Sequence, residues 1–303
     1  MKKITQAVCM LCIGFGMTTT LNAQGMFDGF MPKKGDLSIT ASFTKSDFDK
    51  FYLGDVKQDA VPVHGEINQN IVSLFAKYGI TDRLSAVVNI PYISAENTSG
   101  APDPVNGETS ISGLQDITLG LKLNAYTFQF KKADLSILTA GSIVIPTNYE
   151  PVGILSLGNG GFGVDLRLGL HLQTDIGFFS TLYAGYNLRG DADNNLMPNR
   201  GDFNVPNSFV TTGKIGYASK FIYVEAWADY NNSETGVDIG SPAFTGNFPE
   251  TDVDYARVGL TVYKEIIPNL GLSAGIGKVI DGRNLGDSII YSGGITYNLS
   301  LLN

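Results

Sequence analysis

The chain has 303 residues, 43% of them apolar and only 17% charged, with 36 Gly, 14 Tyr, 17 Phe and 2 Cys. A charged fraction below the usual quarter, with this much Gly and Tyr, excludes a disordered chain and an ordinary soluble surface. A net charge of -8 repels phosphate backbones, so no nucleic-acid partner is expected, and 2 His are too few for a His-rich metal site.

The first residues form an export address. Lys2 and Lys3 precede an apolar stretch over 7–17, and small Ala23 stands before Gln24. This is the pattern of a secretory signal cleaved after Ala23. The expected organisation is a signal peptide over 1–23 and one domain over 24–303. Cys9 and Cys12 both fall in the removed piece, without the context of a lipid-anchored cysteine. The mature chain is therefore expected to hold no disulfide, thiolate metal site or cysteine nucleophile. Beyond the signal no apolar run reaches the roughly 18 residues that a membrane helix needs.

A short apolar segment, Met26-Phe27-Asp28-Gly29-Phe30-Met31, comes next, and after it period-2 alternation governs the chain. Strands are expected over about 36–48 and 66–78, then at Leu84/Ala86/Val88/Ile90/Tyr92. From Ile117 every second residue is apolar (Leu119, Leu121, Leu123, Ala125), while Thr118, Gly120, Lys122 and Asn124 lie between. A strand over about 134–146 follows. From Phe162 the apolar set is Val164, Leu166, Leu168, Leu170 and Leu172, alternating with Gly163, Asp165, Arg167, Gly169, His171 and Gln173. As a helix such a stretch would scatter its charges around the circumference. Strands over about 177–189, 207–218, 222–230, 256–262, 270–278 and 291–299 bring the tally to about twelve. Most are near the 9–11 residues that cross a bilayer at a tilt.

Short turns, such as 79–82, 130–132, 175–177, 218–220 and 266–269, alternate with polar stretches over 49–64, 94–112, 147–160, 190–206, 231–252 and 279–287. That alternation fits an outer-membrane barrel with tight periplasmic turns and long extracellular loops, and does not fit a Greek-key sandwich. In hydrocarbon every backbone polar group needs an internal partner, so strands span only as a closed ring. The fold class expected is therefore all-β, a transmembrane antiparallel barrel in the outer membrane of a Gram-negative cell. Its apolar face meets lipid and its polar face meets the axis, with outer-membrane lipid and lipopolysaccharide as surroundings. Tyr78, Tyr92, Tyr126, Tyr186, Tyr217, Tyr230, Tyr263 and Tyr297 sit at strand ends, where interfacial girdle residues belong. The segment 26–31 is apolar enough to tuck into the lumen as a small plug.

Ser292-Gly293-Gly294-Ile295-Thr296-Tyr297-Asn298-Leu299 resembles the terminal signal read by the outer-membrane assembly machinery, although it stops four residues short of Asn303. Tyr78-Gly79-Ile80-Thr81-Asp82-Arg83-Leu84-Ser85, with Asn89-Ile90-Pro91-Tyr92, resembles the turn and strand of the "MetA-pathway of phenol degradation" family. Gly113-Leu114-Gln115-Asp116-Ile117-Thr118-Leu119-Gly120-Leu121-Lys122 is similar to that family's Gly-x-Gly-Asp strand, with Gln115 in place of the second Gly. The resemblance implies an outer-membrane transporter, similar in broad design to long-chain fatty-acid channels, that passes small hydrophobic or aromatic solutes. Read physically, Gly79 and Asp82 suit a sharp reversal, and Pro91 marks a strand end or a kink in the wall that could open a lateral exit.

The pore-lining residues expected from alternation are Asp116, Lys122, Asp165, Arg167, His171, Lys214, Glu225, Trp227, Asp229 and Arg257. Both signs occur, so paired charges either line water or plug the interior. Trp227 and Tyr223 share a face with Glu225 and suit stacking on an apolar solute, or simply fill space. Gly120, Gly163, Gly169, Gly185, Gly216 and Gly259 on the inner face argue for open space. Asp191-x-Asp193-x-Asn195 with Asp202 has some spacing of a Ca²⁺ loop, but Leu196 stands where the turn needs Gly, so no metal or other cofactor is expected. Neither His64 nor His171 has a His-x-Ser partner, and no enzyme is expected. A passive channel is the leading reading; its rival is a closed structural or surface-interaction barrel acting through the acidic loops 94–112 and 231–252.

Overall fold

The computed structural model of the protein describes residues 26–61, 63–193, 201–244, 246 and 248–302. The expected signal segment with its two cysteines, and Asn194, Asn195 and Leu196 of the Ca²⁺-like spacing, lie outside the described residues. The chain-order strands are β1 (Asp36–Phe48), β2 (Phe51–Leu53), β3 (Val56–Gln58), β4 (Ile67–Thr81), β5 (Leu84–Asn97), β6 (Ser110–Leu114), β7 (Ile117–Phe130) and β8 (Ala133–Ile145). They continue as β9 (Gly163–Thr174), β10 (Phe178–Arg189), β11 (Ser208–Ala218), β12 (Tyr223–Ser233), β13 (Asp254–Ile267), β14 (Leu270–Arg283) and β15 (Ile289–Ser300).

Each long strand pairs antiparallel with its chain neighbours, and β1 closes the ring on β15 from Asp36↔Ser300 to Asp47↔Ile289. β6 and β7 together occupy one position of the wall: β5 pairs with β7 over Leu84–Asn89 and with β6 over Tyr92–Glu96. The result is a closed barrel of twelve antiparallel positions, with β2 and β3 as a separate hairpin inside the β1–β4 connection. The expected stretches thus form strands, several longer than alternation alone indicated. Pro91 lies inside β5, so it is not a strand end. Opposite it the partner strand breaks at Gln115–Asp116, and Gln115 N–H donates 2.9 Å to the Pro91 carbonyl. The interruption falls where a residue without an N–H would leave a hole in the ladder.

The two faces sort by chemistry. Leu121 is 52% exposed and Leu166 54%, whereas Lys122 is 0% and Asp165 8%. Apolar side chains therefore face outward around the wall and polar ones face the axis, the arrangement a lipid-embedded ring requires. Past Asn124 a bulge shifts the register of β7, which keeps Tyr126, Phe128 and Phe130 on the outer face although their parity has changed. Tyr92, Tyr126, Tyr230 and Tyr297 stand exposed on the outer face. Tyr263 departs from the expected girdle: it is 3% exposed, faces inward and packs with Phe179 and Tyr223.

The short turns, the start of β1 and the end of β15 gather at one end of the barrel. Gly35 N–H donates to the Gly79 carbonyl and Lys34 N–H to Asp82 Oδ1, which pins the entering chain to the β4–β5 turn. From this rim the segment 26–31 runs up inside the lumen, in keeping with its apolarity. At the other end the long loops fold inward into two apolar clusters. One joins Phe48, Phe51, Val61, Ile67, Ala95 and Leu155; the other joins Val152, Ala192, Phe203 and Val205.

Candidate functional site

The lumen is built from the inner faces of all the strands, and its two sides differ. Along β7 and β9 to β12 inward positions carry charge, and the N-terminal segment lies against them. Asp28 is fully buried and takes Lys77 Nζ and Lys122 Nζ, each at 2.8 Å, on its two carboxylate oxygens. Lys122 also donates to the carbonyls of Asp28 (3.1 Å) and Phe30 (2.8 Å). The Arg167 guanidinium stacks 3.6 Å from the Phe27 ring centre. Phe30 meets the rings of His171, Phe179 and Tyr223 edge-on. A Cβ on Gly29 would stand 1.8 Å from His171 Nδ1, so only glycine passes that point without a shift.

The remaining charges pair along the wall and do not cross the lumen. Arg167 bonds Asp165 with Nε and Nη2, and its Nη1 donates to Thr212. Lys214 meets Glu225 at 3.3 Å and Arg257 meets Asp229 at 3.4 Å, both between neighbouring strands. His171 shares a 2.7 Å hydrogen bond with Thr181, and Trp227 Nε1–H donates 3.2 Å to Thr261. Asp116 sits in the β6–β7 break, away from Lys122, and accepts the Tyr149 hydroxyl at 2.5 Å. Burial first, and then the Asp116 charge, push the Tyr149 phenol well above its ordinary range, so it stays a donor.

Along β13, β14, β15, β1 and β4 the inward positions are mostly small or hydroxylated, with Lys77, Arg257, Phe75 and Tyr263 among the larger exceptions. Thr40 and Thr296 bond each other at 3.0 Å across the closing seam. A chamber of about 250 Å³ opens against this side, lined by hydroxyls of Ser42, Thr44 and Ser73 and by the rings of Phe75, Tyr223 and Tyr263, with no charged side chain in its wall. Alternation on the weaker strands could have found these positions, since Ser38, Thr40, Ser42, Thr44 and Ser46 recur at every second residue. A search for charged residues passes over them.

Several inner-wall glycines do not make open space. Gly169, Gly216 and Gly259 lie directly opposite Tyr183, Phe179 and Trp227. A Cβ would fall 2.4, 2.7 and 2.2 Å from those rings. Each glycine lets an aromatic side chain lie flat along the wall across the strand pair. Gly158 packs under the Tyr149 hydroxyl, where a Cβ would fall 2.3 Å from the oxygen. Of the two histidines, His64 Nε2 lies 3.3 Å from Asp103 in the loop crown. Among the described residues no three His, Cys, Asp or Glu side chains form a metal-binding group.

The family model described as "Putative MetA-pathway of phenol degradation" matches residues 72–288, from within β4 to the last loop. The chain belongs to this family. The matched span includes both motifs noted in the sequence and all the charged wall from Lys77 to Arg257. No curated protein matches the chain in a sequence comparison. The structure is similar to the crystal structure of an outer membrane channel from Pseudomonas putida F1, with a TM-score of 0.72 and 14% identity over 92% of this chain and 100% of that one. Fainter likenesses are to a deltaS2S3 mutant of the TodX monoaromatic hydrocarbon channel (TM-score 0.43, 10% identity, 89% and 91% covered) and to the translocator domain of the autotransporter NalP from Neisseria meningitidis (0.43, 12%, 86% and 87%). The likeness to the Pseudomonas protein shows a shared barrel fold.

Proposed function

We propose that the protein is an outer-membrane channel for passive passage of small hydrophobic or aromatic solutes, closed from the periplasmic side by its own N-terminal segment. The carrying observation is the uncharged chamber beside the plug, where aromatic rings and hydroxyls face a free volume of about 250 Å³. Rings there offer edge-to-face contact to a single aromatic ring, and hydroxyls tolerate a polar substituent. Membership of a family described by phenol degradation supports this solute class, and the barrel shared with the Pseudomonas outer membrane channel supports passage through the wall. Cleavage after Ala23 belongs to the same reading, because it frees the N-terminus two residues ahead of Met26 and lets the plug enter the lumen. The alternating charged positions act in this scheme as the plug's seat. Lipid and lipopolysaccharide surround the wall, and β15, which closes the ring on β1, is the strand offered to the assembly machinery.

The packed loop clusters over the other end favour a second reading, a closed barrel that works through its loops. Planar-bilayer recording separates the two. A folded variant lacking 26–31 is expected to carry a steady ion current that benzyl alcohol blocks in a concentration-dependent way. Absence of current from that variant would defeat the channel reading. Current indifferent to benzyl alcohol would remove the aromatic solute.

A further inference from the structure

Among the described residues, every cation on the inner wall but one has an acidic partner. Lys77 and Lys122 share Asp28, Arg167 holds Asp165, Lys214 holds Glu225 and Arg257 holds Asp229. Arg189, the last residue of β10, makes no ion pair and no side-chain hydrogen bond among the described residues; only its backbone N–H is engaged, donating to Asn207 Oδ1. Its side chain stands between two chambers under the loop crown, of about 370 and 200 Å³. The acids of the larger chamber act on Arg189 only from a distance, because Asp116 accepts from Tyr149 and Asp165 is held by Arg167. No carboxylate lines the smaller chamber.

A second, independent feature points into the smaller chamber. Ser208 is 2% exposed and its hydroxyl has no hydrogen-bond partner among the described residues. Buried polar atoms are rarely left so, because an unmade hydrogen bond costs stability. Asn159, Asn187 and Asn231 set amides around the same space. Val205, Val210, Phe248 and Val253 supply apolar surface to the same lining, with Val210 directly across the strand pair from Asn231. The chamber thus combines a guanidinium fork and a hydroxyl with apolar surface in one lining.

We propose that this chamber binds a small aromatic acid, with its carboxylate on Arg189 and Ser208 and its ring against the apolar surface of Val205 and Phe248. The inference rests on the channel reading and names a solute class for it. A guanidinium presents two parallel N–H donors that match the two oxygens of a carboxylate, and the Ser208 hydroxyl adds a third donor. An inorganic oxyanion would satisfy the donors but leave the apolar lining residues unused. In a chain with net charge -8, an organic anion needs such a local cation to enter at all.

Isothermal titration calorimetry on the full mature chain in detergent tests this with benzoate, benzyl alcohol, acetate and inorganic phosphate as probes. Benzoate is expected to bind at least tenfold more tightly than each of the others. Arg189→Gln is expected to lower benzoate affinity at least tenfold, Arg189→Lys to recover part of it, and Ser208→Ala to cost a few-fold. Folding of each variant is checked by its heat-modifiable electrophoretic mobility, and Ser208→Ala keeps the test open should an Arg189 variant not fold. Equal binding of benzyl alcohol, undiminished benzoate binding in Arg189→Gln, or no benzoate binding by the natural chain would each overturn the proposal. Acetate or phosphate binding as tightly as benzoate would overturn the aromatic acid. Binding in detergent does not depend on flux, so failure here and failure of the channel reading are separate results.

Discussion

The two sides of the lumen solve opposite problems with the same strand geometry. On the β7–β12 side, long charged side chains are desolvated, and each of those named finds a partner in its own strand, a neighbouring strand or the N-terminal segment, Arg189 excepted. On the β13–β4 side, Lys77 and Arg257 apart, hydroxyls and glycines take little room and demand little electrostatic compensation. The difference teaches that charge on a barrel's inner face does not by itself mark the path of a solute. Here Lys122 and Arg167 are spent on Asp28 and Phe27, while open volume lies against Ser42, Thr44 and Ser73.

The sharpest way to break this contrast is to remove the plug's anchor. Asp28 is the one carboxylate shared by two buried lysines. Loss of one partner of a buried ion pair costs about 3–5 kcal/mol, because the other charge stays uncompensated. Asp28→Ala is therefore expected to release the segment and give single-channel conductance close to that of the variant lacking 26–31. Conductance unchanged from the natural chain would mean that ring contacts alone hold the plug.

Much of this was legible in the residues. Alternation at Phe162–Leu172 is unbroken because lipid on one side and water or plug on the other impose a strict period of 2, and the plug showed itself as an apolar segment with nothing else to cover it. The role of the inner glycines was not legible. Gly259 matters through Trp227, 32 residues earlier, and only strand register brings the two together. Arg189 also escaped notice, because a residue at a strand's end beside a polar loop looks like any rim charge until its neighbours are seen to be paired. The Pro91 interruption was half visible, since proline excludes a ladder bond but does not say whether the strand or its partner gives way.

Gly259→Val tests the glycine–aromatic pairing with a smaller expected effect. The new side chain would collide with the Trp227 ring, at a cost of about 1–3 kcal/mol for overpacking. Trp227 is the single Trp of the chain, so its emission reports the displacement directly while urea unfolding reports the stability loss. A ring swung off the wall would narrow the hydroxyl side as well. Ser42→Trp acts on that side without touching a charge pair. It is expected to leave stability nearly unchanged and to weaken benzyl alcohol block of the unplugged channel several-fold. Block at the natural strength would place the solute elsewhere.

The mildest change lies in the loop crown. Asp238, in the β12–β13 loop, accepts Arg283 Nε at 2.8 Å and Nη2 at 2.7 Å, with Asn284 Nδ2 at 2.9 Å. The hydrogen bonds from Arg283, then those from Asn284, hold its carboxyl below the usual carboxylate range. A carboxyl whose folded pKa is lowered stabilises the fold above its unfolded value and loses that contribution as pH falls through the folded one. The clasp is therefore intact at neutral pH and begins to fail only below about pH 4, the ordinary Asp range. Both side chains are 35% exposed, so solvent screening keeps the effect small. Limited proteolysis with an acid-active protease is expected to cut the 234–253 loop faster at pH 3 than at pH 5. Asp238→Asn should cut at one rate at both pH values. A natural chain with the same flat profile would show that the loop is held by its apolar contacts and not by this charge.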